Sequence, residues 1–111
     1  DVALYNYTYG HLPANFITKS DARKLGWSSG SVEKYAGEGF AIGGDVFANR
    51  EGNLPKNDSQ GNKIAYLECD IDTVGSKSRG AKRLVFRADG SVIYYTEDHY
   101  ETFELVYGEE K

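Results

Sequence analysis

Residues 83–96 read RLVFRADGSVIYYT, two runs rich in β-branched and aromatic residues joined at Asp89-Gly90. Asp-Gly between such runs supplies the positive backbone angles of a tight hairpin turn, so 83–88 and 91–96 are expected to pair antiparallel. Upstream, 64–73 reads IAYLECDIDT and alternates: Ala65, Leu67, Cys69 and Ile71 point one way, Tyr66, Glu68 and Asp70 the other. This segment is expected to be a half-buried strand with two acids on its exposed face. Downstream, 103–107 reads as a last strand, and the Gly-containing segments 37–44 and 52–62 read as loops.

Helix signals lie in the first third. Thr18 with Asp21 three residues on resembles a capping box with Asp in place of Glu, and Leu25-Gly26 looks like a helix end, which gives a helix over 19–25. A weaker pattern over 31–37 puts Val32, Tyr35 and Ala36 on one face and stops at Gly37. Residues 2–9 are ambiguous. Tyr5, Tyr7 and Tyr9 alternate at strand period while Val2, Tyr5 and Tyr9 fit a helical stripe, and local pattern alone slightly favours strand. Helices first and strands after point to an α+β fold.

The chain has 111 residues, which predicts a single domain over 1–111 with one core. Its 40% hydrophobic content, with nine Tyr and five Phe, supplies enough apolar area to close that core without a staple. A lone cysteine excludes an intrachain disulfide, and with two histidines no Cys/His zinc cage can be assembled, so no structural metal is expected. No run approaches the roughly 18–20 apolar residues that span a bilayer, so no membrane partner is expected. Methionine is absent even at position 1, and the chain is expected to begin after processing, a removed signal peptide being one candidate.

Net charge is −4, the wrong sign for a protein that coats nucleic acid. Its distribution matters more than its total. Lys77, Arg79, Lys82, Arg83 and Arg87 fall in a stretch without acids, while Glu97, Asp98, Glu101, Glu104, Glu109 and Glu110 crowd the C-terminus. A local anion site and a solvated basic loop are equally consistent with that spacing. Glu68 and Asp70 share a strand face at roughly 7 Å, near enough to sense a common cation, although two acids on a strand are usually solvated. Arg79 and Arg83 would reach one anion if the chain between them turned. His99, flanked by Asp98, Tyr100 and Glu101, is the candidate proton donor, since neighbouring acids favour a charged imidazole. His11 reads as a surface residue and Cys69 as an ordinary buried strand residue.

Four separated blocks, ITKSDARKLGW (17–27), IGGDVFANREGNLP (42–55), ECDID (68–72) and YYTEDHYETF (94–103), resemble in that order the small secreted guanyl-specific ribonucleases of the barnase and binase type. The resemblance spans nearly the whole chain. It implies that 2–13 is the end of that family's first long helix, whose start is expected before residue 1. Carried over residue by residue, it implies Glu68 as general base, His99 as general acid, and Lys19, Arg79 and Arg83 as phosphate-binding cations, with Lys77 as the alternative to Arg79. Asp70 matches an acid that ties the two arginines in place, with Asp45 as a second supporting acid. Ala48, Asn49, Arg50 and Glu51 match the guanine loop. There Glu51 accepts from the N1–H and N2–H of the base while the backbone N–H groups of Asn49 and Arg50 donate to O6. Tyr100 would stack on the base or its ribose, and Trp27 matches a core position. The loop between Pro55 and Glu68 is longer than in the barnase pattern, and the net charge is acidic where familiar members are basic.

The expected fold is therefore α+β, with two or three N-terminal helices packed on a four- to five-stranded antiparallel sheet whose other face holds the RNA site. The expected function is a secreted, monomeric endoribonuclease that prefers guanosine and cleaves single-stranded RNA without metal or other cofactor. A toxin domain with the same chemistry and a non-catalytic binding relic of the fold are the alternatives. An acidic, barstar-like inhibitor is the expected protein partner.

Overall fold

The computed structural model describes residues 2–73 and 78–109. Three helices, α1 (Val2–Tyr9), α2 (Lys19–Lys24) and α3 (Glu33–Ala36), accompany six strands: β1 (Phe16–Ile17), β2 (Ala41–Phe47), β3 (Tyr66–Asp70), β4 (Arg83–Arg87), β5 (Ile93–Thr96) and β6 (Glu104–Tyr107). They form one sheet in the order β1-β2-β3-β4-β5-β6. The α+β class is as expected. The sheet is larger than expected and is mixed, because the two-residue β1 adds parallel to β2 while every other pair is antiparallel.

The expected hairpin forms at Asp89-Gly90, with Arg83 opposite Thr96 and Phe86 opposite Ile93. Gly90 has φ +77, and a Cβ there would lie 2.5 Å from the Asn6 carbonyl oxygen. The turn therefore seats the end of α1. That contact explains why 2–9 is helical despite its alternating tyrosines: Ala3 and Asn6, three apart, are the buried residues of the segment, a spacing only a helix turns toward one surface. Tyr9 is exposed and closes no stripe.

β2 overturns the loop reading for 41–44, while 37–40 are loop as expected. Gly43 lies inside the sheet because a Cβ would fall 2.5 Å from the Phe16 ring and 2.7 Å from the Cys69 Cβ. Gly44, at φ +97, carries the register shift between Gly43 and Asp45. The two glycines mark a bulge and a close approach, not a loop.

Both faces of the central strands are buried, so the acids of β3 do not sit on an exposed face. On one side Cys69, Leu84, Phe86 and Ile93 pack with Ala3, joined by Leu67 and Ile71. On the other, Tyr66, Val85, Val92 and Tyr94 pack with Leu54, Phe47 and Phe103. A third cluster, Ala22, Trp27, Val32 and Ile42, holds α2 and α3 against β2. Full burial of a side chain such as Phe86 or Ile93 contributes about 1.5–3 kcal/mol. α2 starts as its sequence predicts, with the Thr18 hydroxyl accepting from the Asp21 N–H at 3.4 Å. α3 is a single turn, and Tyr35 faces outward rather than joining Val32 and Ala36. Trp27 is 4% exposed and donates its indole N–H to the Gly30 carbonyl. Among the described residues no helix is long and apolar enough to cross a membrane.

Candidate active site

The period-two alternation of β3 puts Glu68 and Asp70 on one face, and antiparallel pairing sets Asp70 opposite Arg83 and Glu68 opposite Val85. On the other neighbour, Asp45 is opposite Glu68. The bulge before Asp45 sets this register, and the Asp45 carboxylate accepts from the Lys19 backbone N–H at 3.0 Å. Lys19, the first residue of α2, is thereby held over β3, its Nζ 3.5 Å from Glu68 Oε1. Glu68 is only 9% exposed, a carboxylate kept largely from water beside a cation.

Asp70 organises the arginines. Its oxygens accept from Arg79 Nε at 2.6 Å and Nη2 at 2.8 Å. Arg83 Nε lies 2.9 Å from Oδ1, at ion-pair distance but off the hydrogen-bond direction. Arg83 Nη1 donates to the Lys82 carbonyl at 2.8 Å. The hydrogen bond to Asp70 raises the Arg79 pKa, outweighing the opposite effect of its burial. The Arg79 guanidinium also rests 5.8 Å from the centre of the Trp27 ring. Arg79 is thereby held beside Arg83 and Trp27; Lys77, its alternative, lies outside the described residues.

His99 and Tyr100 sit in the loop between β5 and β6, both with left-handed backbones, φ 56 and φ 77. The turn is held by Asp98, whose carboxylate accepts from the Thr96 hydroxyl, the backbone N–H groups of Glu101 and Thr102, and the Thr102 hydroxyl. These bonds hold Asp98 at a pKa of about 2, led by the Thr102 contacts. The oxygens of Asp98 are thus committed to the turn that carries His99 and Tyr100. The His99 N–H donates to the Ala81 carbonyl at 3.1 Å, which ties this loop to the segment that carries Arg79.

Tyr100 joins two parts of the site. Its phenol is raised in pKa by burial, then by the charge of nearby Glu68, so it stays protonated beside that carboxylate. Its ring lies 5.1 Å from Phe47 and 4.7 Å from His99, centre to centre. Together they wall a cleft of about 410 Å3 lined by Ala48, Asn49, Arg50, Glu51, His99 and Tyr100. Asn49 shapes the loop: its side chain donates to the Leu54 carbonyl at 2.9 Å and accepts from the Leu54 N–H at 3.2 Å, pinning 49–54 onto the buried Leu54. Every residue expected to contact a base therefore lines one cleft with the candidate acid. Sequence reasoning missed Phe47 and Phe103, which back that wall; the aromatic run near His99 was the available signal.

A family model described as ribonuclease matches residues 3–107. The chain belongs to this ribonuclease family. It is 48% identical over 107 residues to a ribonuclease of Heyndrickxia coagulans, covering 95% of this chain and 92% of that protein. It matches a Bacillus intermedius ribonuclease at the same identity while spanning 62% of that protein's length. The guanyl-specific ribonuclease St of Saccharopolyspora erythraea is 42% identical over 74 residues, 67% of this chain and 68% of that one. The enclosed carboxylate, the exposed imidazole and the cations gathered between β3, β4 and α2 are groups capable of proton transfer and of stabilising charge on a phosphate.

Proposed function

We propose that this ribonuclease is a guanyl-preferring endonuclease of single-stranded RNA that works by transfer to the 2′-hydroxyl. Glu68 takes the 2′-OH proton, the 2′-oxygen attacks phosphorus, the bond from phosphorus to the 5′-oxygen breaks, and His99 protonates that oxygen as it leaves. The 2′,3′-cyclic phosphate is then hydrolysed with the two roles reversed. Lys19, Arg79 and Arg83 stabilise the charge on the pentacoordinate phosphate. Because the nucleophile belongs to the substrate, DNA binds without being cut.

The observation that carries this reading is the one cleft that gathers Asn49, Arg50, Glu51 and His99 against Tyr100, the side chain that also feels the charge of Glu68, the carboxylate beside Lys19. Base recognition and chemistry are thereby spaced by one side chain. The guanyl-specific names of the Saccharopolyspora and Kitasatospora relatives agree with it. Glu51, Asn49 and Arg50 present the acceptor and donors that guanine needs and adenine does not match. The deciding experiment incubates the enzyme with GpN and ApN dinucleotides in chelator and analyses the products. Cyclic phosphate from GpN well ahead of ApN is the expected result; equal rates, or no cyclic product, would overturn it.

Secretion and a monomeric state are part of the same proposal. So is an acidic inhibitor that covers the exposed His99 and the cations around it by mimicking phosphate.

A further inference from the structure

Against the same base loop lies a second cleft of about 360 Å3, lined by Ala48, Asn49, Arg50, Lys56, Asn57, Lys63 and Ile64, without His99. It shares Ala48, Asn49 and Arg50 with the base cleft, so the two are separated by one stretch of backbone. Its walls carry three cations and no carboxylate, in a chain whose net charge is −4. Arg50, Lys56 and Lys63 are all exposed, and among the described residues none of them is in an ion pair.

Two of the three cations, Lys56 and Lys63, are placed by the segment between Pro55 and Glu68. An isolated bridge pairs Asn57 with Lys63, and the Ile64 N–H donates to the Lys56 carbonyl at 2.9 Å, so the backbones of both lysines are fixed. Asp58, the acid in this turn, accepts from the backbone N–H groups of Gln60 and Asn62 with one oxygen, which commits it to the turn. Three like charges facing one concavity repel each other, and an anion relieves that repulsion. A strand whose guanine occupies the neighbouring cleft brings such an anion every nucleotide.

We propose that this cleft is a phosphate subsite for RNA that continues beyond the cleaved dinucleotide, with Lys56 and Lys63 contacting the backbone. The proposal rests on the guanyl-preferring reading above and adds to it a reason for the enzyme to favour long substrates. The test compares wild type with a Lys56→Ala/Lys63→Ala double variant on GpN and on single-guanosine RNA oligomers extended on the 5′ or the 3′ side. For wild type, extension on one side raises kcat/KM. The double variant loses that gain several-fold, mainly through KM, while its rate on GpN is unchanged. Its salt dependence becomes shallower by about 0.7 in log–log slope for each phosphate that the variant no longer neutralises. Binding of an uncleaved oligodeoxynucleotide with one dG makes the same comparison without chemistry. If the variant keeps the wild-type ratio of extended to dinucleotide rates, and the wild-type affinity for the oligodeoxynucleotide, the subsite is refuted. Failure of wild type to prefer GpN over ApN strikes the guanyl reading instead.

Discussion

Asp70 grips Arg79 with both of its oxygens, at 2.6 and 2.8 Å, from a position only 2% exposed. The same carboxylate lies 2.9 Å from the equally buried Arg83. One acid against two guanidiniums leaves a net positive charge beside β3 and β4, held in the place where the proposed mechanism needs it for phosphate. Preorganised charge of this kind needs no rearrangement during reaction.

Replacing Asp70 removes the only carboxylate paired with Arg83 among the described residues. Asp70→Ala should destabilise the fold by about 3–5 kcal/mol, because an uncompensated guanidinium is left buried. Urea denaturation measures the change, and a midpoint like that of wild type would contradict the pairing. Asp70→Asn, which keeps one acceptor, should fall between the two.

His99→Ala should reduce kcat by about 10²–10⁴-fold, the usual worth of a positioned proton donor. Glu68→Ala should leave more activity, since Lys19 and the arginines still stabilise charge. The wild-type pH profile of kcat/KM is expected to be bell-shaped, and each variant to lose one limb. Near wild-type turnover in His99→Ala would remove it from the chemistry.

Glu51→Ala should weaken the preference for guanosine by about one to two powers of ten, the cost of about 1–3 kcal/mol for leaving the base donors unpaired. Cleavage of ApN should hardly change. Parallel loss on both substrates would mean that Glu51 shapes the loop rather than reads the base.

The Asp98 turn gives a pH dependence with a definite sign. Its pKa is lowered in the folded state to about 2, so its contribution is present above its ordinary value near 3.8 and is lost as pH falls through about 2. Asp98→Asn should therefore flatten the acid limb of stability between about pH 4 and 2. It should also lower kcat, because His99 and Tyr100 are strained and depend on this turn. Acid-unfolding curves that superimpose for the two proteins would refute the assignment.

If the proposed acidic inhibitor binds at this site, His99→Ala and Arg50→Ala should weaken its binding and make it less salt-sensitive. Arg83→Ala is a poor probe, because Arg83 is 2% exposed and its loss disturbs Asp70 first. Calorimetry with a barstar-type protein measures the effect, and affinity unmoved by either exposed substitution would put the interface elsewhere.

What could be read from the sequence follows from how local each signal is. The 83–96 hairpin is legible because its turn chemistry and both strands are contiguous, and the face shared by Glu68 and Asp70 because period two survives in β3. β2 is hidden by Gly43 and Gly44, whose reason lies in Phe16 and Cys69, distant in sequence. β1 is two residues long and exists only because β2 is beside it. The helix over 2–9 is chosen by its seat on the Gly90 turn rather than by its own tyrosines. In the site, residue identities came through the resemblance to a family, whereas the links between them did not: His99 is tied to Ala81 from a left-handed loop, a conformation no periodicity announces.

Cys69 sits on β3 between the candidate base and the acid that holds the arginines, its thiol 1% exposed and its ionisation pushed well up by burial. The thiolate is the species that reacts, so the folded enzyme is nearly inert to alkylating reagents. Any label that does arrive at Cys69 marks an event in which the middle of the sheet has come apart. A single native sulfur thus serves as a clock for the opening of the catalytic strand, one that slows when a ligand binds the closed form.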